Sequence, residues 1–143
     1  MVIREYQPLD CEVLAELFYN TIHTVNVKNY TKEQLDVWAT GNVDLEKWNQ
    51  SFEEHYSLVA IDDEVIIGFG DIDKAGYLDR LFVHSNYQRK GIATAICNQL
   101  EQAVQGSIVT HASITARPFL KREVTELLKN NRLSDKGFFL QIL

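Results

Sequence analysis

Six consecutive residues, Gln88-Arg89-Lys90-Gly91-Ile92-Ala93, combine amide donors, two cations and a glycine just before an amphipathic stretch. Upstream, Tyr77–His84 is rich in Leu, Phe, Val and Tyr and reads as a strand. Downstream, Ile92, Ile96, Leu100 and Val104 recur at helical spacing. A strand, a polar turn from Ser85 to Lys90 and a helix opening at Gly91 leave the first helical N–H groups without intrahelical partners. The positive end of the helix dipole lies at the same place, so an anion can take those donors. Arg89 and Lys90 add charge there, and Gly91 lets a ligand approach the backbone. The chemistry this suggests is a phosphate or pyrophosphate cradle. It is not a Walker loop, because GxxxxGK[ST] is absent. Nor is it a dinucleotide fingerprint, since Gly68 and Gly70 supply only GxG and Asp73 stands at the third position. The competing structural reading is a basic surface turn before an ordinary amphipathic helix.

The rest of the chain must position that cradle. At 143 residues, 45% hydrophobic and 24% charged, it has the size and composition of one globular domain spanning 1–143. No apolar run is long enough to cross a bilayer, and the start MVIREYQPLD enters a strand pattern directly, so the expected location is cytoplasmic, without membrane. Cys11 and Cys97 are too few for a disulfide framework, and no metal-ligand spacing is present. A net charge of −6 argues against nucleic-acid binding and agrees with a cationic acceptor.

Val2–Tyr6 reads as a first strand, and Pro8-Leu9-Asp10 starts a helix carrying Leu14, Leu17, Phe18 and Ile22 on one face. Thr31 to Gln34 is a capping box for a second helix, and Asp44 caps a third bearing Leu45, Trp48 and Phe52. Trp38 and Trp48 are read as core. His55–Ile61 and Val65–Asp71 are strands joined by a turn at Asp62-Asp63-Glu64. Gly68 and Gly70 within the second of these predict close packing or a bulge. Asp71, Asp73 and Lys74 read as a solvated turn. Leu78, Leu81 and Val83 break strict alternation, and a bulge between Leu78 and Leu81 would return all three to one face. Ser107–Ala112 reads as a fifth strand, with a further helix from Ser113 to Pro118.

Gln88-Arg89-Lys90-Gly91-Ile92-Ala93 resembles the Q/R-x-x-G-x-G/A motif of the GNAT N-acetyltransferase superfamily, and it follows a Leu81-Phe82-Val83 strand as it does there. The resemblance covers roughly Met1 to Phe119. It implies an α/β fold: a central mixed sheet, flanked by helices, whose fourth and fifth strands splay apart. It implies acetyl-CoA as cosubstrate, with no metal. The backbones of Leu81, Phe82 and Val83 would hold pantetheine and the thioester, and Gln88, Arg89, Lys90, Gly91, Ile92, Ala93 and Thr94 the pyrophosphate. A strand N–H, of Phe82 or Val83, would polarise the carbonyl. The acceptor would be a small amine, a peptide N-terminus or a lysine. Asp79 is the candidate base, against a salt bridge with Arg80 or a solvated carboxylate. His111 is a second candidate, against a core histidine. His23 and Tyr30 are candidate acceptor contacts; for His23 the alternative is a cation at a helix C-terminus. Cys97 is read as a small core residue and His84 as a surface one.

The tail departs from the family. Leu120 occupies the position where many members carry a Tyr that protonates the departing thiolate, and no Tyr follows Tyr87. Back-translated in a neighbouring frame, Leu120–Leu143 can give FEKRGYRVIEK and then QVERQGIFLTN, close to the family's expected ending. The tail is therefore read as frameshifted, and the nucleotide sequence tests this. As it stands, Leu120, Val124, Leu127 and Leu128 suit one helix face and Phe138–Leu143 suits a last strand. A longer last helix and fewer C-terminal strands are expected. If that strand lacked a partner within the chain, its edge would promote a homodimer. Two alternatives stand beside an acetyltransferase: a catalytically impaired CoA-binding domain, and a non-enzymatic protein that binds another phosphate or nucleotide.

Overall fold

A computed structural model describes residues 1–24, 30–103, 108–112 and 138–142, with backbone only for 108–112 and 138–142 and for Trp38. Strand β1 (Val2–Glu5) leads through a short 3-10 turn (Pro8–Asp10) into α1 (Cys11–Thr24). Helices α2 (Lys32–Trp38) and α3 (Leu45–Glu54) follow. Next come β2 (Tyr56–Asp62), β3 (Val65–Ile72) and β4 (Tyr77–Val83). Helix α4 (Ile92–Gln102) and strands β5 (Ile108–Ala112) and β6 (Phe138–Ile142) complete the described chain. The strands form one mixed sheet in sequence order, antiparallel from β1 to β4 and parallel from β4 to β6.

Local sequence explains the boundaries. Thr31 Oγ1 accepts from Gln34 N at 3.2 Å while Gln34 Oε1 accepts from Thr31 N at 2.8 Å, the reciprocal cap its spacing predicts. Asp44 accepts from Lys47 N and starts α3. Asp63 and Glu64 both take positive φ, +51° and +65°, which closes the β2–β3 hairpin with the twist its strands need.

The sheet divides the core in two. On one face α4 places Ile92, Ile96 and Leu100 against Leu58, Ala60, Ile67, Ile72, Leu78 and Val83. Each buried Leu, Ile or Val side chain there contributes on the order of 1.5–3 kcal/mol. On the other face α1, α2 and α3 pack Leu14, Leu17, Phe18, Ile22, Leu35 and Phe52 over Val59 and Phe69. Gly68 and Gly70 set how closely α4 lies on β3. A Cβ at Gly70 would stand 3.0 Å from Ile96 Cγ2 and 3.1 Å from the Arg80 carbonyl oxygen.

The bulge expected in β4 is present. Asp71 opposes Arg80, yet Ile72 opposes Leu78, so Asp79 is the extra residue. Leu78 and Val83 thereby reach the α4 core, with Leu81 packed against it. Asp71 is a correction. It is not part of a solvated turn but fully buried, because Arg80 and His55 reach its carboxylate. Asp73 does shape the turn, accepting from Ala75 N and Tyr77 N. The last strand expected at the end of the chain is present and has a partner within it: β6 pairs with β5 from Ile108↔Phe138 to Ala112↔Ile142. The helix expected from Ser113, and the tail from Leu120 up to β6, lie outside the described residues.

Candidate functional site

Strand β4 parts from β5 almost at once. Their pairing is confined to Tyr77↔Val109 and Leu78↔Thr110. From Asp79 to Val83 no pairing with β5 is formed among the described residues. The register with β3 says which groups this frees. His84 N donates to the Ile67 carbonyl at 2.8 Å. Backbone directions alternate along a strand, so the Phe82 N–H also points to β3, while those of Leu81 and Val83 point into the gap. Of the two residues expected to polarise a carbonyl, Val83 rather than Phe82 thus has an N–H that is turned away from β3 and unpaired among the described residues. The Val83 carbonyl points the same way and accepts from Gln88 Nε2 at 2.6 Å. The Gln88 side chain therefore ties the turn to the strand, and its backbone is what remains for a ligand.

Beyond Gln88 the chain makes two left-handed steps, Arg89 at φ +62° and Gly91 at φ +80°. Gly91 is the N-cap of α4, and a Cβ built on it would meet nothing within 4 Å. The glycine is needed for its backbone angle, and the space above it is open. Ile92 is buried and anchors the helix, and Ala93 packs against the same core. The N–H groups of Ile92, Ala93 and Thr94, in the first turn, point out along the helix axis. Arg89 is exposed, and the Lys90 ammonium lies 5.2 Å from the centre of the Tyr87 ring. The His84 ring caps the turn, its Nδ1 accepting from Asn86 N at 3.0 Å.

At the other end of the free edge lies a charge cluster that the sequence did not disclose as such. Asp71 Oδ1 accepts from Arg80 Nε at 2.9 Å, and Oδ2 from Arg80 Nη2 at 2.7 Å and His55 Nδ1 at 2.6 Å. The guanidinium lies 3.9 Å from the centre of the Phe52 ring and donates to Ser51 Oγ at 2.6 Å. One ligand-type atom each from His55, Asp71 and Asp79 lies within 4.8 Å of the others. Both Asp71 oxygens are engaged by Arg80 and His55, which makes the cluster an ion-pair network. Asp79 is 3.6 Å from Arg80 Nη2 and its side chain is 38% exposed, which makes it the member of the cluster most open to solvent. Burial, and then the Asp71 charge, push the Asp79 carboxyl above the usual carboxylate range. The Asp71 hydrogen bond raises the His55 imidazole against the effect of burial. The signal that could have exposed this cluster was the bulge, since it puts Arg80 directly opposite Asp71.

The remaining candidates are spread more widely. His23 Nε2 donates to the Ala39 carbonyl at 2.8 Å and its ring lies 4.3 Å from that of Tyr19, so it fastens α1 to the end of α2. Tyr30 is half-buried against the α1–α3 core. His111 stands on β5 opposite Gln141, and its side chain lies outside the described atoms. Trp48 packs edge-on against Phe18 and Phe52, as the core reading expects. Cys97 is half-buried in α4. No helix among the described residues is long and apolar enough to cross a membrane.

Comparison with known proteins agrees with this geometry. A family model described as Acetyltransferase (GNAT) domain matches residues 26–123. An uncharacterized N-acetyltransferase, YafP of Escherichia coli, is 31% identical over 136 residues, covering 94% of this chain and 87% of that protein. A GCN5-related N-acetyltransferase from Rhodopseudomonas palustris superposes with a TM-score of 0.77 at 26% identity, over 85% of this chain and 78% of that one. The PaiA N-acetyltransferase from Thermoplasma acidophilum, solved with coenzyme A, shares the fold with a TM-score of 0.63 at 23% identity, over 71% of this chain and 69% of that one. With its unzipped fourth strand running into a left-handed glycine at a helix N-terminus, this chain belongs to the GNAT family of acetyltransferases.

Proposed function

We propose that this protein transfers the acetyl group of acetyl-CoA to a primary amine, a small amine or a peptide N-terminus or lysine, by direct attack of the amine on the thioester. The observation that carries this reading is the free edge of β4, with the Leu81 and Val83 N–H groups leading into the Gly91 turn. Leu81 and Val83 pair with the extended pantetheine arm as a neighbouring strand would. The backbone of Gln88 to Thr94 holds the pyrophosphate, aided by the charges of Arg89 and Lys90. The Val83 N–H suits the thioester oxygen as negative charge grows on it.

Asp79 takes one proton from the acceptor ammonium, directly or through a water. The neutral nitrogen attacks the carbonyl carbon, the C–S bond breaks, and the nitrogen's second proton leaves with the sulfur as a thiol. Positioning of the two substrates supplies much of the acceleration. A second reading, CoA binding with little turnover, is favoured by Leu120, which stands where the resemblance to the family implies a Tyr.

Thermal unfolding with acetyl-CoA, desulfo-CoA and ATP tests the binding half. Acetyl-CoA at a hundredfold excess over Kd is expected to stabilise the fold by about 2.7 kcal/mol. Absence of any shift sinks both readings, and an equal shift with ATP favours a general phosphate site. Thiol release on addition of a panel of amines then separates the two: binding without release leaves the CoA-binding reading.

A further inference from the structure

The bulge cluster holds more charge than one strand pair requires. Asp79 is faced by Asp71 from β3, by Arg80 and Tyr77 from its own strand, by Asp73 from the adjoining turn and by His55 from the α3–β2 junction. His55 is the member whose charge ordinarily changes near neutrality. Asp71 fixes its orientation: the Nδ1–H donates to Oδ2 at 2.6 Å, and the side chain is only 18% exposed. Beside Asp79, a charged His55 ring leaves the four groups His55, Arg80, Asp71 and Asp79 balanced when both carboxyls are ionised. A neutral ring leaves them with one negative charge in excess.

We propose that His55 is a positioning residue for acetyl transfer: anchored on Asp71, its ring sets the charge facing Asp79, and with it the pH range over which Asp79 accepts the acceptor's proton. The inference rests on the acetyltransferase reading and on Asp79 as its base. The positive ring favours the ionised carboxyl, which is the form able to take a proton. Its electrostatic influence on Asp79 is reciprocal, as linkage requires.

The test is His55→Gln, which keeps a donor for Asp71 and removes the charge. The rise of kcat/KM with pH for the acceptor is measured in wild type, H55Q and H55K, alongside acetyl-CoA affinity. In H55Q the ascending limb is expected to move to higher pH while acetyl-CoA Kd stays within about twofold, and H55K is expected to bring the limb back. An unmoved limb in H55Q overturns the proposal. So does equal impairment of both variants at all pH, which is what a merely structural role gives. NMR titration of the His55 ring in wild type and Asp79→Asn is independent of turnover. Loss of the carboxylate is expected to lower the His55 midpoint, and identical midpoints refute the coupling. Coupling without acetylation of any amine faults the acetyltransferase reading instead.

Discussion

Arg80 lies directly opposite Asp71 across the β3–β4 ladder and grips it with two parallel hydrogen bonds of 2.9 and 2.7 Å. The pair sits at the bulge that displaces Asp79, next to the point where β4 leaves β5. One sheet feature thus places a carboxylate and opens a backbone edge at the same site.

Breaking that pair is expected to unfold much of what it organises. Asp71→Ala would leave the Arg80 guanidinium and the His55 ring without their buried acceptor. Removing one partner of a buried ion pair costs about 3–5 kcal/mol. Urea unfolding should show a loss of this order. A loss below about 1 kcal/mol, the range of a surface pair, would mean the network is solvated.

Stability should fall on both sides of a weakly acid to neutral optimum. Burial opposes ionisation of Asp10, but the Arg4 fork at 2.8 and 2.9 Å and the Gln7 N–H outweigh it and hold its carboxyl below the usual range. A lowered carboxyl stabilises the fold above its unfolded pKa, and this is lost as pH falls through the folded one. His55 has the opposite sign. Its raised folded pKa adds stability that is complete below the unfolded value and disappears as pH rises through the folded value. Urea midpoints across pH for wild type, Asp10→Asn and H55Q check this. Asp10→Asn should flatten the acid limb and H55Q the alkaline one.

Gly91 separates backbone strain from ligand contact. With φ at +80° and open space about its Cβ position, Gly91→Ala should cost about 1 kcal/mol through its backbone angle alone. Gly91→Glu adds a negative side chain over the same donors. Calorimetry should find acetyl-CoA binding weakened about tenfold or more relative to Gly91→Ala, equivalent to about 1.4 kcal/mol. Equal affinity of the two variants would remove the pyrophosphate from this turn.

Much of this was legible in the chain itself. Ile92, Ile96 and Leu100 announce α4, Thr31 and Gln34 announce α2, and the broken alternation of Leu78, Leu81 and Val83 announces the bulge. Each of these is a local signal with a fixed period or spacing. The Asp71–Arg80–His55 network is not local. Its members lie on β3, on β4 and at the α3–β2 junction, and Asp71 in isolation resembles any acidic residue near a turn. Likewise, Leu81 and Val83 are distinguished from Phe82 only by the register with β3. Which strand N–H groups are free is a property of pairing, and no composition reports it.

That register makes the sharpest prediction. The Phe82 N–H faces β3, whereas those of Leu81 and Val83 face the gap beyond the last β4–β5 pair. Amide hydrogen exchange of the free protein should therefore be slow at Phe82 and faster at Leu81 and Val83. If an extended pantetheine arm pairs with this edge, acetyl-CoA should slow exchange at Leu81 and Val83, and at Ile92 to Thr94, with little change at Phe82. A truncated ligand that keeps the pyrophosphate but lacks pantetheine should protect Ile92 to Thr94 alone. Uniform slowing along β4, Phe82 included, would report general stabilisation, and the edge would not be the binding strand.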